Sequence, residues 1–286
     1  MTPRRTSGSA SCTRQPRLKQ DNENRGLKMS GYQLSGNAPA AYIRYAAPIM
    51  APWTDDLISQ SQCKGGERVL DVACGTGIVS TRISPDCKVT GIDVNEGMLA
   101  VARRNTKIDW HLGSAIELPF ADGSFDVVLC QQGLQYFPDR TASVKEMARV
   151  LSPGGRVSLN VWGSIERQPF HAALVEAITL YLGEEHKSVF DLAFSLNTAK
   201  ELHALADSAG LKNQHVRFEH RTIRYPDPKE LIAGFMASTP IAAQFTALPE
   251  DRRTNFVEHV RQLLAPYVDD AGLASPMENH FLLATR

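Results

Sequence analysis

The sequence predicts an α/β protein built on a doubly wound parallel sheet. Five short apolar runs alternate with helical patterns, which is typical of a parallel sheet with helices on both faces. The first run leads into a Gly-x-Gly loop at Gly75 and Gly77, and the second run ends in an acid, Asp93. The predicted strands cover residues 68–73, 88–93, 108–113, 125–130 and 156–162.

The loop after the first strand is the centre of the predicted ligand site. Glycines tolerate positive φ and carry no Cβ, so Gly75 and Gly77 let the backbone turn sharply and approach a ligand. A helix predicted over residues 78–83 would aim its free N–H groups into the same space. This arrangement favours a nucleotide-type ligand, with an ordinary strand-to-helix turn as the alternative.

Asp71 distinguishes between the candidate nucleotides. A carboxylate beside the loop would repel a pyrophosphate, but it suits a ligand that carries an ammonium and a sulfonium. The dinucleotide fingerprint expects a third glycine where Ser80 stands. The Gly-Lys-Ser/Thr sequence of a P-loop is also missing. S-adenosylmethionine therefore fits better than NAD or ATP.

Asp93 is predicted to hold a ribose. It lies 18 residues after Gly75, close to the spacing of about 20 at which an acid after the second strand meets the ribose hydroxyls. The structural alternative is an N-cap for the helix predicted over residues 96–105, a role that Asn95 could also fill. Met98 is expected either against an adenine or in the core.

The rest of the sequence predicts a ligand-binding crevice, a helical lid before the core and a helical insert within it. The polar segment 131–139 follows the fourth strand and should face the ligand, because ligands in open α/β sheets lie beyond the carboxyl ends of the strands. Further predicted elements are helices at 140–151, 170–182 and 198–209, a strand at 213–224, helical residues 228–266 and a closing strand at 278–285. The predicted domains are a disordered tail (1–35), a helical lid (36–66), a core (67–225 and 277–286) and a helical insert (226–276) that caps the substrate.

Composition excludes several classes of partner. The 31 basic and 31 acidic residues balance, so no overall field points to nucleic acid or a membrane surface. No run approaches the roughly 18 apolar residues of a membrane span. The five cysteines lack Cys-x-x-Cys spacing, which favours reduced thiols in a cytoplasmic protein and no metal site. The segment 1–35, which is rich in Lys and Arg, is expected to be disordered. The alternative is that the functional chain begins at Met29. Oligomeric state stays open.

Four segments stand in a recognisable order between residues 69 and 157. They are Val-Leu-Asp-Val-Ala-Cys-Gly-Thr-Gly, Gly-Ile-Asp, Glu-Leu-Pro-Phe-Ala-Asp-Gly-Ser-Phe-Asp-Val-Val and Arg-Val-Leu-Ser-Pro-Gly-Gly-Arg-Val. Together they resemble the class I S-adenosylmethionine-dependent methyltransferases, and within them the small-molecule branch that includes the ubiquinone and menaquinone biosynthesis C-methyltransferases. The resemblance implies a Rossmann-like, seven-stranded sheet whose last strand, here 281–285, runs antiparallel.

The resemblance also implies a cofactor role for each matching residue. The implied residues are Asp71, Ala73, Gly75 and Gly77 at the methionine end, Asp93 and Val94 at the ribose, Met98, Ser114 and Ala115 at the adenine, and Gln131 near the amino group. The family often has an acid followed by a small residue where Ser114 and Ala115 stand. A serine hydroxyl bonds the adenine amine more weakly than a carboxylate does.

The acceptor side is less well marked. Methyl transfer from a sulfonium is an in-line displacement, so placement and the exclusion of water matter most. A general base is needed only if the acceptor must lose a proton. His171 is the preferred base, and the other candidates are His111, Glu166, Tyr136 and the glutamines 131, 132 and 135. The predicted substrate contacts are Tyr42, Tyr45, Gln132, Gln135 and Tyr136, with core packing as the alternative for the first two tyrosines.

These observations predict an enzyme that methylates a small organic acceptor at oxygen, nitrogen or carbon. Because no base stands out and Ser114 departs from the family pattern, a catalytically inactive cofactor-binding module that acts as a partner or sensor is the alternative. A third hypothesis, an RNA methyltransferase, rests on the basic residues of the tail alone.

Overall fold

The computed structural model of the protein describes Leu34, Gly36, residues 38–105 and residues 107–286. The predicted tail at residues 1–35 and the alternative start at Met29 therefore lie outside the described residues, except for Leu34. Leu34 is buried and packs in a small cluster with Ala38 and Met98. Packing against the core thus begins before residue 36.

One mixed sheet organises the chain. Its strands are β1 (Arg68–Val72), β2 (Lys88–Asp93), β3 (Asp109–Leu112), β4 (Phe125–Gln131), β5 (Leu151–Trp162), β6 (Lys212–Tyr225), β7 (Val268–Asp269) and β8 (Gly272–Thr285). Their order is β3-β2-β1-β4-β5-β8-β6, with the two-residue β7 paired to β8 off this path. The first five strands pair in parallel, and β8 runs antiparallel between β5 and β6. The predicted doubly wound sheet with an antiparallel last strand is confirmed.

Helices cover both faces of the sheet. They are α1 (Ala38–Ala41), α2 (Ala47–Ser61), α3 (Glu96–Ala102), α4 (Arg140–Val150), α5 (Pro169–Tyr181), α6 (Ser188–Ala193), α7 (Ala199–Ser208), α8 (Pro228–Ala237), α9 (Ala242–Ala247) and α10 (Glu250–Leu263). A π-helical turn, Tyr42–Ala46, joins α1 to α2. Of the helices in the described part of the chain, none is long and apolar enough to cross a membrane.

Alternation along the strands divides the core into two clusters. Val69, Val127 and Phe281 face one cluster, which α2, α5 and α8 also enter. Their sequence neighbours Leu70, Val128 and Leu282 face the other cluster, with α4 and α7. The short strands β1 and β4 therefore read as continuous apolar runs, because both of their faces are covered.

Several predicted boundaries were wrong, for identifiable reasons. The helix expected at 78–83 is instead a turn and a single 3₁₀ turn, Ser80–Arg82, because Gly75 and Gly77 hold left-handed φ values and Asp71 binds Ser80. Strand β5 begins at Leu151 and not at residue 156, across a register shift against β4. Strand β8 begins at Gly272 and not at residue 278, because it pairs with the whole length of β6.

The helical insert packs on the N-terminal segment, by which we mean the described residues Leu34, Gly36 and 38–61. Along the chain, helices α8, α9 and α10 follow β6 and precede β8. Helix α8 contacts the π-helical turn. Arg44 pairs with Glu230 at 2.6 Å, and the Tyr45 hydroxyl donates to the same carboxylate at 3.3 Å. The predicted lid and insert are therefore one contiguous layer over this part of the sheet.

Candidate active site

A cavity of about 310 Å³ lies at the carboxyl edge of the sheet. Each of the five parallel strands contributes a residue from its carboxyl end or from the position after it. These residues are Val72, Asp93, Gly113, Gln131 and Trp162. The volume suits one ligand of nucleoside size. This is the place where an open α/β sheet binds its ligand.

The N-terminal segment forms one wall of this cavity. Leu34, Tyr42 and Met50 all line it, and Tyr42 was a predicted contact. Tyr45 does not line it, because the Tyr45 ring packs against Gly234 of the insert. Of the described residues that line the cavity, none belongs to the insert, so its predicted role as a cap over this cavity is not seen.

The glycine loop brings backbone close to the cavity. Gly75 lines it with φ +55°, and a Cβ there would lie 3.3 Å from the Met98 methyl carbon. Gly77 has φ +85°, and a Cβ there would lie 2.6 Å from the Trp110 ring. Ala73 also lines the cavity with a left-handed φ of 59°, a strained value for a residue with a side chain. Gly75 and Ala73 therefore line the cavity, whereas Gly77 packs against Trp110 within the fold.

Asp71 acts on the loop from behind. Its side chain is 1% exposed and does not line the cavity. Its Oδ2 accepts from the Ser80 amide at 3.1 Å and from the Ser80 hydroxyl at 2.6 Å. Burial raises the pKa of Asp71 to about 7, against the effect of the two Ser80 bonds. The predicted contact of Asp71 with the methionine end of the cofactor is therefore not seen. Its carboxyl group instead links β1 to Ser80, which follows the glycine loop.

Asp93 faces the cavity with its neighbour Val94. Its two oxygens accept from the Gly75 and Asn95 amides, each at 2.8 Å. Burial raises the pKa of Asp93, and these bonds oppose the shift. The helix cap is Asn95, whose side chain accepts from the Met98 amide at 3.1 Å. Each Asp93 oxygen keeps a second lone pair, so this carboxylate can accept bonds from a ligand hydroxyl pair.

The far end of the cavity suits a planar base. Met98, Ser114 and Ala115, the residues predicted to contact an adenine, all line it, and Ile116 adds an apolar contact. Among the described residues, the Ser114 hydroxyl is engaged by the Ile116 amide alone, at 3.4 Å. A serine in this position can bond an exocyclic amine while the methionine covers the ring.

The side-chain amides of Gln131 and Gln132 form the other end of the cavity. Gln131 is 9% exposed, and its amide nitrogen donates to the Met50 carbonyl at 3.3 Å. Its Oε1 has no hydrogen-bond partner among the described residues, which is costly for a buried acceptor unless a ligand donor meets it. Gln132 lines the cavity and bonds Asn279. Gln135 is fully buried behind Gln132 and bonds it at 2.7 Å, so Gln135 does not reach the cavity.

The histidines predicted as bases lie elsewhere. His171 is 3% exposed and lines a separate, smaller cavity. Burial lowers the pKa of His171 to about 3, so the neutral imidazole is a weak proton acceptor and the predicted role as general base is not supported. His111 lies on the edge strand β3, 2.8 Å from Asp109. Tyr136, the remaining predicted substrate contact, does line the main cavity.

Sequence reasoning missed several residues that line the cavity, among them Trp162, Leu34 and Met50. Trp162 ends β5, and the rule that ligands lie beyond strand ends could have found it. Leu34 and Met50 carry no such signal, because they reach the cavity only through the packing of the N-terminal segment. No group of three His, Cys, Asp or Glu side chains within the described ranges could hold a metal ion.

The donors and acceptors around the cavity fit S-adenosylmethionine. The unpartnered Gln131 oxygen suits its ammonium, Asp93 suits its ribose hydroxyls, and Ser114 suits its adenine amine. A Cβ at Gly75 would intrude on the Met98 methyl group beside the same space. A dinucleotide would need a place for its pyrophosphate, and no Lys or Arg side chain is among the described lining residues.

Known sequences agree with this geometry. The profile of the family described as methyltransferase domain matches residues 70–159. The chain is 35% identical over 186 residues to the chloroplastic 2-phytyl-1,4-beta-naphthoquinone methyltransferase of Arabidopsis thaliana, covering 56% of this chain and 70% of that protein. It is 34% identical over 188 residues to the demethylmenaquinone methyltransferase of Staphylococcus carnosus, covering 58% of this chain and 76% of that protein.

Solved structures share the fold. The YcgJ protein of Bacillus subtilis superposes with a TM-score of 0.56 at 20% identity, over 82% of this chain and 97% of that chain. The phosphoethanolamine N-methyltransferase 2 of Haemonchus contortus, in complex with S-adenosyl-L-methionine, gives a TM-score of 0.51 at 18% identity, over 82% of this chain and 52% of that chain.

Proposed function

The chain belongs to the S-adenosylmethionine-dependent methyltransferases and transfers the methyl group to a small organic acceptor, and on that premise we propose that this acceptor is an uncharged, largely apolar ring compound. The observation that carries this proposal is the charge of the cavity wall. Of the described lining residues, Asp93 alone carries a formal charge. The other walls on the acceptor side are Tyr42, Met50, Tyr136 and Trp162.

A charged acceptor would meet an energetic penalty in such a site. Burying an ion without a partner costs several kcal/mol, and no described Lys or Arg lines the cavity to pair with a phosphate or carboxylate. Aromatic and thioether side chains, in contrast, pack well against a ring. The Arabidopsis relative is named as a naphthoquinone methyltransferase and the Staphylococcus relative as a demethylmenaquinone methyltransferase, which supports a ring-shaped acceptor here.

The chain's own residues supply placement more than chemistry. The cofactor carries an electrophilic methyl group on a sulfonium. In the proposed arrangement, Asp93 holds the ribose hydroxyls and the Gln131 oxygen accepts from the ammonium. Tyr42 and Met50 exclude water from the space between this end and the acceptor. Fixing two reactants at attack distance supplies much of the acceleration of a displacement.

An acceptor panel tests the proposal. Intact protein and S-adenosylmethionine are incubated with 2-naphthol, 1,4-naphthohydroquinone, phosphoethanolamine or glycine, and release of S-adenosylhomocysteine is measured. We expect the uncharged rings to react at least about tenfold faster than the charged compounds, because an unpaired buried charge costs more than about 1.4 kcal/mol. Faster release with phosphoethanolamine or glycine, or release with none of the four, would contradict the proposal.

The two alternatives from the sequence have no further support. The Arabidopsis and Staphylococcus relatives are named as enzymes, which leaves an inactive binding module without a positive observation. The basic tail that suggested RNA lies outside the described residues. A cytoplasmic location, suggested by the cysteine content, stays a prediction.

A further inference from the structure

A second, smaller cavity lies behind one wall of the main cavity. We call it the aromatic chamber and define it by Trp162, His171, Phe190, Phe194 and Phe235. Its volume is about 20 Å³, enough for one group of the size of a water molecule. Strand β5, helices α5 and α8, and helix α6 with the residue that follows it bring these side chains together from distant parts of the chain.

The chamber and the main cavity share a wall. Met50, Tyr136 and Trp162 line both of them. The main cavity, at about 310 Å³, suits one ligand of the size of S-adenosylmethionine. An acceptor therefore needs space beside it, and this wall is next to the chamber. Met50 is unbranched and flexible, so it can move aside at low cost.

His171 is a polar residue of the chamber, which Thr239 and Tyr136 also line. Its ring lies 5.5 Å from Trp162, 5.3 Å from Phe194 and 5.4 Å from Phe235, measured between ring centroids. Its Nδ1 atom is buried and has no hydrogen-bond partner among the described residues. A buried nitrogen without a partner costs stability, and a buried polar atom of this kind calls for a physical explanation.

The state of this imidazole limits what it can bind. Burial lowers the pKa of His171 to about 3, so the ring is neutral near pH 7. A neutral imidazole offers one donor and one acceptor nitrogen. It can therefore hydrogen-bond an uncharged polar group, and it offers no positive charge to an anion.

Resting on the proposed function, we propose that the acceptor carries a ring hydroxyl, which enters the aromatic chamber and hydrogen-bonds to Nδ1 of His171. The ring that bears the hydroxyl lies against Met50, Tyr136 and Trp162. A hydroxyl both donates and accepts, so it suits either tautomer of the imidazole. His171 is then a specificity residue that selects hydroxylated rings over plain hydrocarbons.

Binding measurements on the intact protein test this assignment. The protein is saturated with S-adenosylhomocysteine, and equilibrium dialysis gives the Kd of 2-naphthol and of naphthalene. We expect His171→Phe to weaken 2-naphthol about tenfold, the value of one hydrogen bond, and to leave naphthalene unchanged. His171→Asn, which keeps a polar atom near the position of Nδ1, should restore part of the preference. The matched control is His259→Phe, because His259 packs on Tyr181 and lines neither cavity.

A spectroscopic readout separates the proposal from a purely structural role. With ¹⁵N-labelled histidine, the Nδ1 resonance of His171 should move when 2-naphthol is added and stay in place with naphthalene. The proposal is overturned if the resonance does not respond, if a folded His171→Phe variant keeps the wild-type preference for 2-naphthol, or if wild type binds neither ring. If wild type still methylates uncharged rings in those cases, the proposed function stands and only the role of His171 falls.

Discussion

Two carboxylates beside the glycine loop, the buried Asp71 and the half-buried Asp93, perform different tasks. Asp71 accepts hydrogen bonds from Ser80 and lies on the side of the loop away from the cavity. Asp93 receives two backbone amides and faces the cavity. The difference follows from position, because Asp71 lies within β1 and Asp93 lies at the carboxyl end of β2.

Replacing Asp93 should weaken cofactor binding. In Asp93→Ala the ribose hydroxyls lose a charged acceptor, a bond worth about 1.5–3 kcal/mol, so we expect S-adenosylhomocysteine to bind at least about tenfold more weakly in calorimetry. Asp227→Ala is the matched control, because Asp227 also accepts backbone amides but caps α8 away from the cavity. Undiminished binding by Asp93→Ala would refute the ribose assignment.

Asp71 should make the stability depend on pH. Burial raises the pKa of Asp71 from 3.8 to about 7, so the folded protein holds this proton more tightly than the unfolded chain does. The resulting stabilisation is complete below about pH 4 and is lost as the pH rises through 7. Between pH 4 and 7.5, the free energy of unfolding of wild type should fall relative to Asp71→Asn by on the order of 2–4 kcal/mol. Urea unfolding at several pH values measures this, and a rise would contradict it.

At the scale of elements, the turn after β1 is shaped by contacts on its inner side. Gly77 faces the ring of Trp110, which lies on β3, the strand that pairs with β2 at one edge of the sheet. Gly154, near the start of β5, has a similar φ of +78° but nothing within 4 Å of the position of a Cβ. Comparing substitutions at the two glycines therefore distinguishes the cost of a left-handed backbone from the cost of steric overlap.

Alanine at these two positions should differ in effect. Gly154→Ala introduces only the left-handed strain, worth about 1–2 kcal/mol. Gly77→Ala adds overlap with Trp110, which costs about 1–3 kcal/mol more, and displaces the loop beside the cofactor. Urea unfolding should give the larger loss for Gly77→Ala, and S-adenosylhomocysteine binding should weaken for that variant alone. Equal losses in the two variants would show that Trp110 can move freely.

At the scale of the whole molecule, the N-terminal segment depends on the insert. Tyr42 and Met50 line the main cavity, whereas Arg44 and Tyr45 between them contact Glu230 of α8. The insert thus supports the cavity wall without lining the main cavity. The exposed Arg44–Glu230 ion pair contributes little by itself, so close packing is the main contact between the two parts.

Packing at Gly234 tests this dependence. A Cβ at Gly234 would overlap the Tyr45 ring, so Gly234→Ala should push the N-terminal segment outward. We expect a loss of about 1–3 kcal/mol in stability, weaker S-adenosylhomocysteine binding and faster proteolysis within residues 38–61. In a Tyr45→Ala background, where the ring is gone, the same substitution should have little further effect. An equal effect in both backgrounds would show that the two parts are independent.

The sequence by itself determined the strands that carry the cofactor site and the doubly wound, parallel class of the sheet. These signals are local, because apolar runs, glycines and strand-ending acids lie within a few residues of one another, as around Gly75 and Asp93. The fold class and the cofactor could be predicted for that reason. The exact strand ends could not, because β5 and β8 extend through pairing with distant partners.

Only the tertiary structure decided what surrounds the acceptor. Met50 reaches the main cavity from the N-terminal segment, and Trp162 reaches it from the end of β5. His171 looked like a base in the sequence, but Phe190, Phe194 and Phe235 enclose it and burial keeps it neutral. The physical reason is that a side chain's pKa and contacts depend on segments that meet only when the chain folds, and no local pattern records which segments those are.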